Sequence, residues 1–163
     1  MAEKERSIHG EVVVAANLKD VWEAWTTEAG VKTFFAPDCQ IDLKPTGKYE
    51  MYFSPESQPG VRGGEGCRVL AAQPMSMLSF TWNAPPSLPE VRGQYTHVVV
   101  RFCEMDGGVR VVLTNDGWGS GSEWDKAYDY FKAAWLKVVL PRLRLRFAKG
   151  PINWESPPDL DDL

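Results

Sequence analysis

Residues 121–150 read GSEWDKAYDYFKAAWLKVVLPRLRLRFAKG, and this stretch decides the fold. Trp124, Tyr128, Phe131, Trp135 and then Val138 or Val139 recur every three or four positions, which sets them along one stripe of a helix. Ser122 followed by Asp125 resembles a capping box at its start, and Lys149-Gly150-Pro151 marks its end. Pro141 has no backbone donor and crowds the carbonyl of Lys137, so a kink or a restart is expected there. A stripe of large rings needs an apolar surface to cover.

The preceding eighty or so residues supply that surface. From residue 38 to residue 117 there is no helical period, only five or six alternating segments separated by Gly and Pro. Ile41 and Leu43; Tyr49, Met51 and Phe53; Leu78, Phe80 and Trp82; Val98, Val100 and Phe102; and Val109, Val111 and Leu113 each fall on one side of a strand. An antiparallel meander with one apolar face follows. Asp106-Gly107-Gly108 is a tight hairpin signal, and the Gly-rich stretch 54–66 and Pro-rich stretch 84–93 are expected to be the mobile connections. Upstream, Val12, Val13 and Val14 form a first strand over 8–16. Asn17 then caps a short helix carrying Val21, Trp22, Ala24 and Trp25, and a second short helical piece runs from Glu28 to Phe35 before Pro37.

Composition narrows the function classes. At 163 residues and 44% hydrophobic, the chain has the size of one domain with one core. That domain is expected over 1–150, followed by a frayed acidic tail, 151–163, with Glu155, Asp159, Asp161 and Asp162. Eighteen basic against twenty-two acidic side chains leave a charge of −4, without the positive field that nucleic acid selects. Cys39, Cys67 and Cys103 are odd in number and widely spaced, and read as reduced, buried thiols rather than a disulfide or zinc framework. No apolar run approaches the roughly 20 residues of a membrane span. The charged stretch Met1 to Arg6 does not read as a secretory signal, so a cytoplasmic location is expected.

Several local motifs, in order, resemble one family. Val21-Trp22-Glu23-Ala24-Trp25-Thr26-Thr27-Glu28 is similar to its first-helix signature, and Phe34-Phe35-Ala36-Pro37 to the aromatic pair that follows. Ile41-Asp42-Leu43-Lys44-Pro45-Thr46-Gly47 resembles its I-D-x-R-x-G-G turn, Leu78-Ser79-Phe80-Thr81-Trp82 its F-T-W strand, and Leu113-Thr114-Asn115-Asp116-Gly117-Trp118 the segment after its last strand. On these motifs, which span roughly residues 8–147, the chain resembles the activator of heat-shock protein 90 ATPase homologue-like branch of the START-like (SRPBCC) superfamily. The resemblance implies an α+β helix-grip fold: a curved antiparallel sheet of six to seven strands wrapped around a long C-terminal helix, with two short helices between strands 1 and 2. Three positions depart from the family pattern. Phe34 stands where Trp is usual, Thr46 replaces the first of two glycines, and Asn115 occupies a position where His is frequent.

Catalytic chemistry has little to work with. The only histidines are His9 and His97, and there is no G-x-S-x-G elbow. His97 alternates onto the face opposite Val98 and Val100, so it reads as a solvent-facing strand residue. Two histidines without acidic or Cys spacing do not make a metal site, and no cofactor is expected. Residues 60–66 lack the Lys-Ser/Thr and helix of a phosphate cradle and read as a flexible hairpin connection. Arg142, Arg144 and Arg146 read as cations favourably placed near a helix C-terminus.

What remains is the aromatic face. Tyr49, Met51, Phe80, Trp82, Tyr128, Phe131 and Trp135 are expected to converge between sheet and helix, where rings either fill the space or line a hollow. Asn115, Asp116 and Tyr128 are the polar groups placed to orient a ligand, and Trp118 belongs to a lid or a structural clamp. The favoured reading is a binder of a small hydrophobic or aromatic molecule, as a monomer or homodimer. Its alternatives are a cyclase- or hydrolase-like enzyme using the same cavity, and a module that docks on a chaperone, as the family resemblance implies.

Overall fold

Along the last strand Val109, Val111, Leu113 and Asn115 are buried while Arg110 is exposed, and the preceding strand buries Thr96, Val98, Val100 and Phe102 in the same alternation. The computed structural model, which describes residues 5–160, builds on this period of two. Strands β1 (Ile8–Val14), β2 (Asp38–Ile41), β3 (Tyr49–Tyr52), β4 (Val69–Gln73), β5 (Met77–Trp82), β6 (Thr96–Met105) and β7 (Gly108–Asp116) are interrupted by helices α1 (Leu18–Thr26), α2 (Glu28–Val31) and α3 (Pro89–Arg92). Five of them form one antiparallel sheet in the order β1-β7-β6-β5-β4. Strands β2 and β3 make a separate hairpin, tied to that sheet by a Lys48–Arg68 bridge and by Tyr49 N–H to Cys67 O at 3.0 Å. The sheet of six to seven strands is therefore realised as five plus two.

The long helix, α4, crosses the apolar face in three segments: α-helical Ser122–Ala134, a π-helical turn Trp135–Val139, and α-helical Leu140–Lys149. Gly10 on β1 sets its distance from the sheet, because a Cβ there would collide with the Leu136 side chain and lie 2.9 Å from Leu140 Cδ1. Pro141 does not break the helix. The turn before it widens so that the Leu140 N–H reaches the Trp135 carbonyl five residues back, which accommodates the proline ring near the Lys137 carbonyl. Ser122 makes no capping bond, since the chain enters the helix through Gly121, and Asp125 instead pairs with Arg6 at 2.8 Å.

Four other expectations are corrected. Leu43 and Phe53 are exposed, because each lies just beyond the end of its hairpin strand. Cys103 is exposed, on the β6 face opposite buried Phe102. The two long connections are clasped together rather than loose. The Arg92 guanidinium donates to Ala84 O, Gly60 O and Gly63 O at 2.5, 2.9 and 2.8 Å and pairs with Glu65 at 3.3 Å. The Glu65 carboxylate accepts from the backbone N–H of Gly60, of Arg62 at 3.1 Å and of Gly63 at 2.7 Å, so the glycine-rich stretch is an anion nest filled by the chain's own carboxylate. The segment after Gly150 is anchored at its start: Ile152 is buried and bonds Thr33 O through its N–H, and Trp154 Nε1 donates to Lys32 O at 2.7 Å. Asp161 and Asp162 lie outside the described residues.

Candidate functional site

The interior under α4 is filled by rings. Trp25 meets Phe34 and Phe35 edge-on at 5.0 and 5.4 Å, Tyr49 lies 4.4 Å from Phe80, and Trp82 lies 5.2 Å from Trp135. All seven are buried. Tyr49 also donates its hydroxyl to Trp25 O at 2.7 Å. Such edge-to-face and offset contacts close space rather than enclose it.

One side of this cluster stays open. A groove of about 520 Å³ runs between the exposed edge of α4 and the wall of Phe35, Phe53 and Trp82. Its floor is Trp135 and Phe131, and its helical wall carries Tyr130, Ala134, Lys137 and Val138, ending at Arg142. Phe53 and Tyr130, 42% and 54% exposed, form the rim. A smaller hollow of about 190 Å³ shares Phe53, Trp82, Tyr130 and Phe131 and continues to Arg62, Gly63 and the Asn83–Pro86 backbone, so the clasped loops close that end. Trp135, Lys137, Val138 and Val139, four of the five residues of the π turn, lie along the groove.

The electrostatics of the wall are one-sided. Lys137 and Arg142 are its only charged residues, and it contains no carboxylate, imidazole or thiol. Arg142 lies beneath the Trp154 ring, 5.1 Å from its centroid, and burial pushes its guanidinium below its ordinary value. Two buried donors in the wall have no protein acceptor, Trp82 Nε1 and Arg142 Nε.

Of the residues singled out from sequence, Trp82, Phe131 and Trp135 line the groove. Tyr49, Met51 and Phe80 are fully buried beneath it. Asn115 is also fully buried, and both ends of its amide are engaged by protein: Nδ2 donates to Thr96 Oγ1 and His97 O, and Oδ1 accepts from Trp135 Nε1. Asp116 sits on the opposite face of β7, its Oδ1 3.3 Å from His97 Nδ1, with both side chains about two-fifths exposed. Trp118 donates to Asn115 O and packs edge-on against Tyr128 at 5.4 Å, the clamp rather than the lid. Tyr128 carries Arg6 over its ring and donates weakly to Ser7 O at 3.4 Å. Phe35, Phe53, Tyr130, Lys137 and Arg142 also line the groove and were not among the expected site residues. The signal for the helical part was a second stripe, Tyr130, Ala134, Lys137 and Val138, spaced as on one helix face.

Comparison with known proteins places this geometry. The family model described as activator of Hsp90 ATPase homolog 1-like protein matches residues 15–144. Among solved structures, SSP2350 from Staphylococcus saprophyticus superposes with a TM-score of 0.67 at 16% identity, covering 91% of this chain and 96% of that one. The Aha1 dimer from Colwellia psychrerythraea gives 0.65 at 16% identity, covering 89% and 98%. CalU16 from Micromonospora echinospora gives 0.64 at 20% identity, covering 93% and 79%. At these identities the likeness is one of fold. No curated protein matches the sequence. Among the described residues no helix is long and apolar enough to cross a membrane.

Proposed function

Because the chain belongs to the activator of Hsp90 ATPase homolog 1-like family, with the sheet and long helix of that fold, we propose that it binds a small, elongated hydrophobic or aromatic molecule in the groove beside α4. The observation that carries this reading is the groove itself. Rings fill the rest of the interior, yet about 520 Å³ bounded by Phe35, Phe53, Trp82 and Trp135 remains open. That volume falls within the roughly 300–1,000 Å³ of small-molecule sites. The wall offers surface and orientation but no carboxylate, imidazole or thiol, which favours binding over a cyclase- or hydrolase-like reaction. One protein of similar fold, DynU16, comes from the dynemicin biosynthetic locus, which favours a small metabolite over a polymer as occupant.

Native mass spectrometry of freshly purified protein, followed by denaturation and identification of what is released, tests the proposal. A stoichiometric aromatic or acyl compound is expected, and Ala134→Trp, which fills the groove from its helical wall, is expected to remove it while the protein stays folded. A bare mass, no thermal shift with apolar probes, and stoichiometric enrichment of a chaperone in a pull-down would together replace this reading with the docking one.

A further inference from the structure

The groove has an apolar length and a cationic end, and the two cations there are unpaired. Neither Lys137 nor Arg142 takes part in an ion pair among the described residues. On a regular helix, residues five apart point about 140° away from each other. Lys137 is the middle residue of the π turn and Arg142 lies three residues past its end, and both line the same groove. Arg142 is also held in place. Its guanidinium stacks on Trp154, whose indole N–H is anchored to Lys32 O, and its Nε is a buried donor without an acceptor. A half-buried guanidinium held against a ring and without an acidic partner is matched by a charged acceptor, and a planar carboxylate fits its fork. Resting on the pocket reading above, we infer that the groove selects hydrophobic carboxylates, receiving the carboxylate at Arg142 and Lys137 and the apolar body over Trp82, Trp135 and Val138.

The probes are decanoate and decanol, alike in length and apolar surface but not in charge, titrated by calorimetry against the intact protein. Decanoate is expected to bind about tenfold or more tightly than decanol, as a charge-assisted hydrogen bond supplies. Lys137→Gln and Arg142→Gln should each narrow the preference for decanoate over decanol, and Lys137→Arg should retain it. Arg142→Gln also disturbs the contact with Trp154. Lys137→Gln keeps the test sound if that variant folds poorly, because Lys137 is exposed on the groove wall. Equal affinity for the two probes, or decanoate binding untouched by Lys137→Gln, overturns the charge selection while leaving the pocket in place. If neither probe binds, the pocket reading falls and this inference falls with it.

Discussion

The indole N–H of Trp135 donates to Oδ1 of Asn115 at 3.1 Å, with both residues fully out of water. This bond joins the middle of α4 to the inward face of β7, and the rest of the Asn115 amide binds Thr96 and His97 on β6. The Asn115 carbonyl also accepts from Trp118, so one residue ties helix, two strands and the loop before α4 together. An inward polar residue in an apolar row is stable only when its bonds are made, and here the protein makes them itself.

Asn115→Ala removes the acceptor of a buried donor and leaves the Trp135 indole and the Thr96 hydroxyl short of partners. A loss of about 3 kcal/mol is expected, from unsatisfied polar groups added to the cavity. Urea denaturation monitored by tryptophan fluorescence measures it, and parental stability in this variant would contradict the network.

The clasp between Arg92 and Glu65 should respond to acid. Burial alone would push the Glu65 carboxyl up, but the backbone N–H groups of Arg62, Gly63 and Gly60 outweigh it and hold the carboxyl below its ordinary value. A lowered folded-state value means that the stabilisation is complete above the unfolded value of 4.5 and is lost as pH falls through the folded one. Amide exchange in residues 60–66 and 89–93 should therefore stay protected from neutral pH down to about 4.5 and lose protection below it. In Glu65→Gln the protection should be low throughout and flat with pH.

Thr46 holds a φ of +68°, a left-handed conformation that a β-branched residue adopts at a cost. The next residue, Gly47, has no room for a Cβ beside the Asp42 carbonyl, so the turn is tightly closed there. Thr46→Gly should stabilise the protein by about 0.5–1 kcal/mol, the relief of strain less the extra freedom of glycine in the unfolded chain. In a thermal melt this is a rise of about 1–4 °C, and a fall would show that the Thr46 side chain stabilises the turn.

The three thiols should separate by reactivity. Burial, followed by the nearby Glu28 charge, pushes Cys39 up to about 12, and burial pushes Cys67 up to about 12, whereas Cys103 is exposed. Ellman's reagent should modify one thiol in the native protein and three after denaturation. Cys103→Ser should abolish the fast phase.

Much of this architecture is legible in the sequence. The rows Val98-Val100-Phe102 and Val109-Val111-Leu113, the cap at Asn17 and the stripe of α4 are local periodicities, and a period of two or of 3.6 names the buried face from neighbours in the chain alone. Pro141 marked a disturbance in the right place but not its kind, since a widened turn rather than a break depends on what the helix packs against. The capping role given to Ser122 failed for a related reason: Asp125 had a partner, Arg6, 119 residues away.

The candidate site was the less legible part. Sequence alone determined that aromatic side chains would gather between sheet and helix. It did not determine which rings would fill that space and which would bound a groove, because that depends on the separation of elements remote in the chain. Gly10 lets α4 settle closely on β1, and Trp135 is pulled to Asn115 on β7. With the helix held on that side, the gap opens on the other, towards Phe35, Phe53 and Trp82, and the π turn brings Lys137 and Arg142 to it. Local pattern decided which residues face inward; tertiary packing decided where the interior was left open.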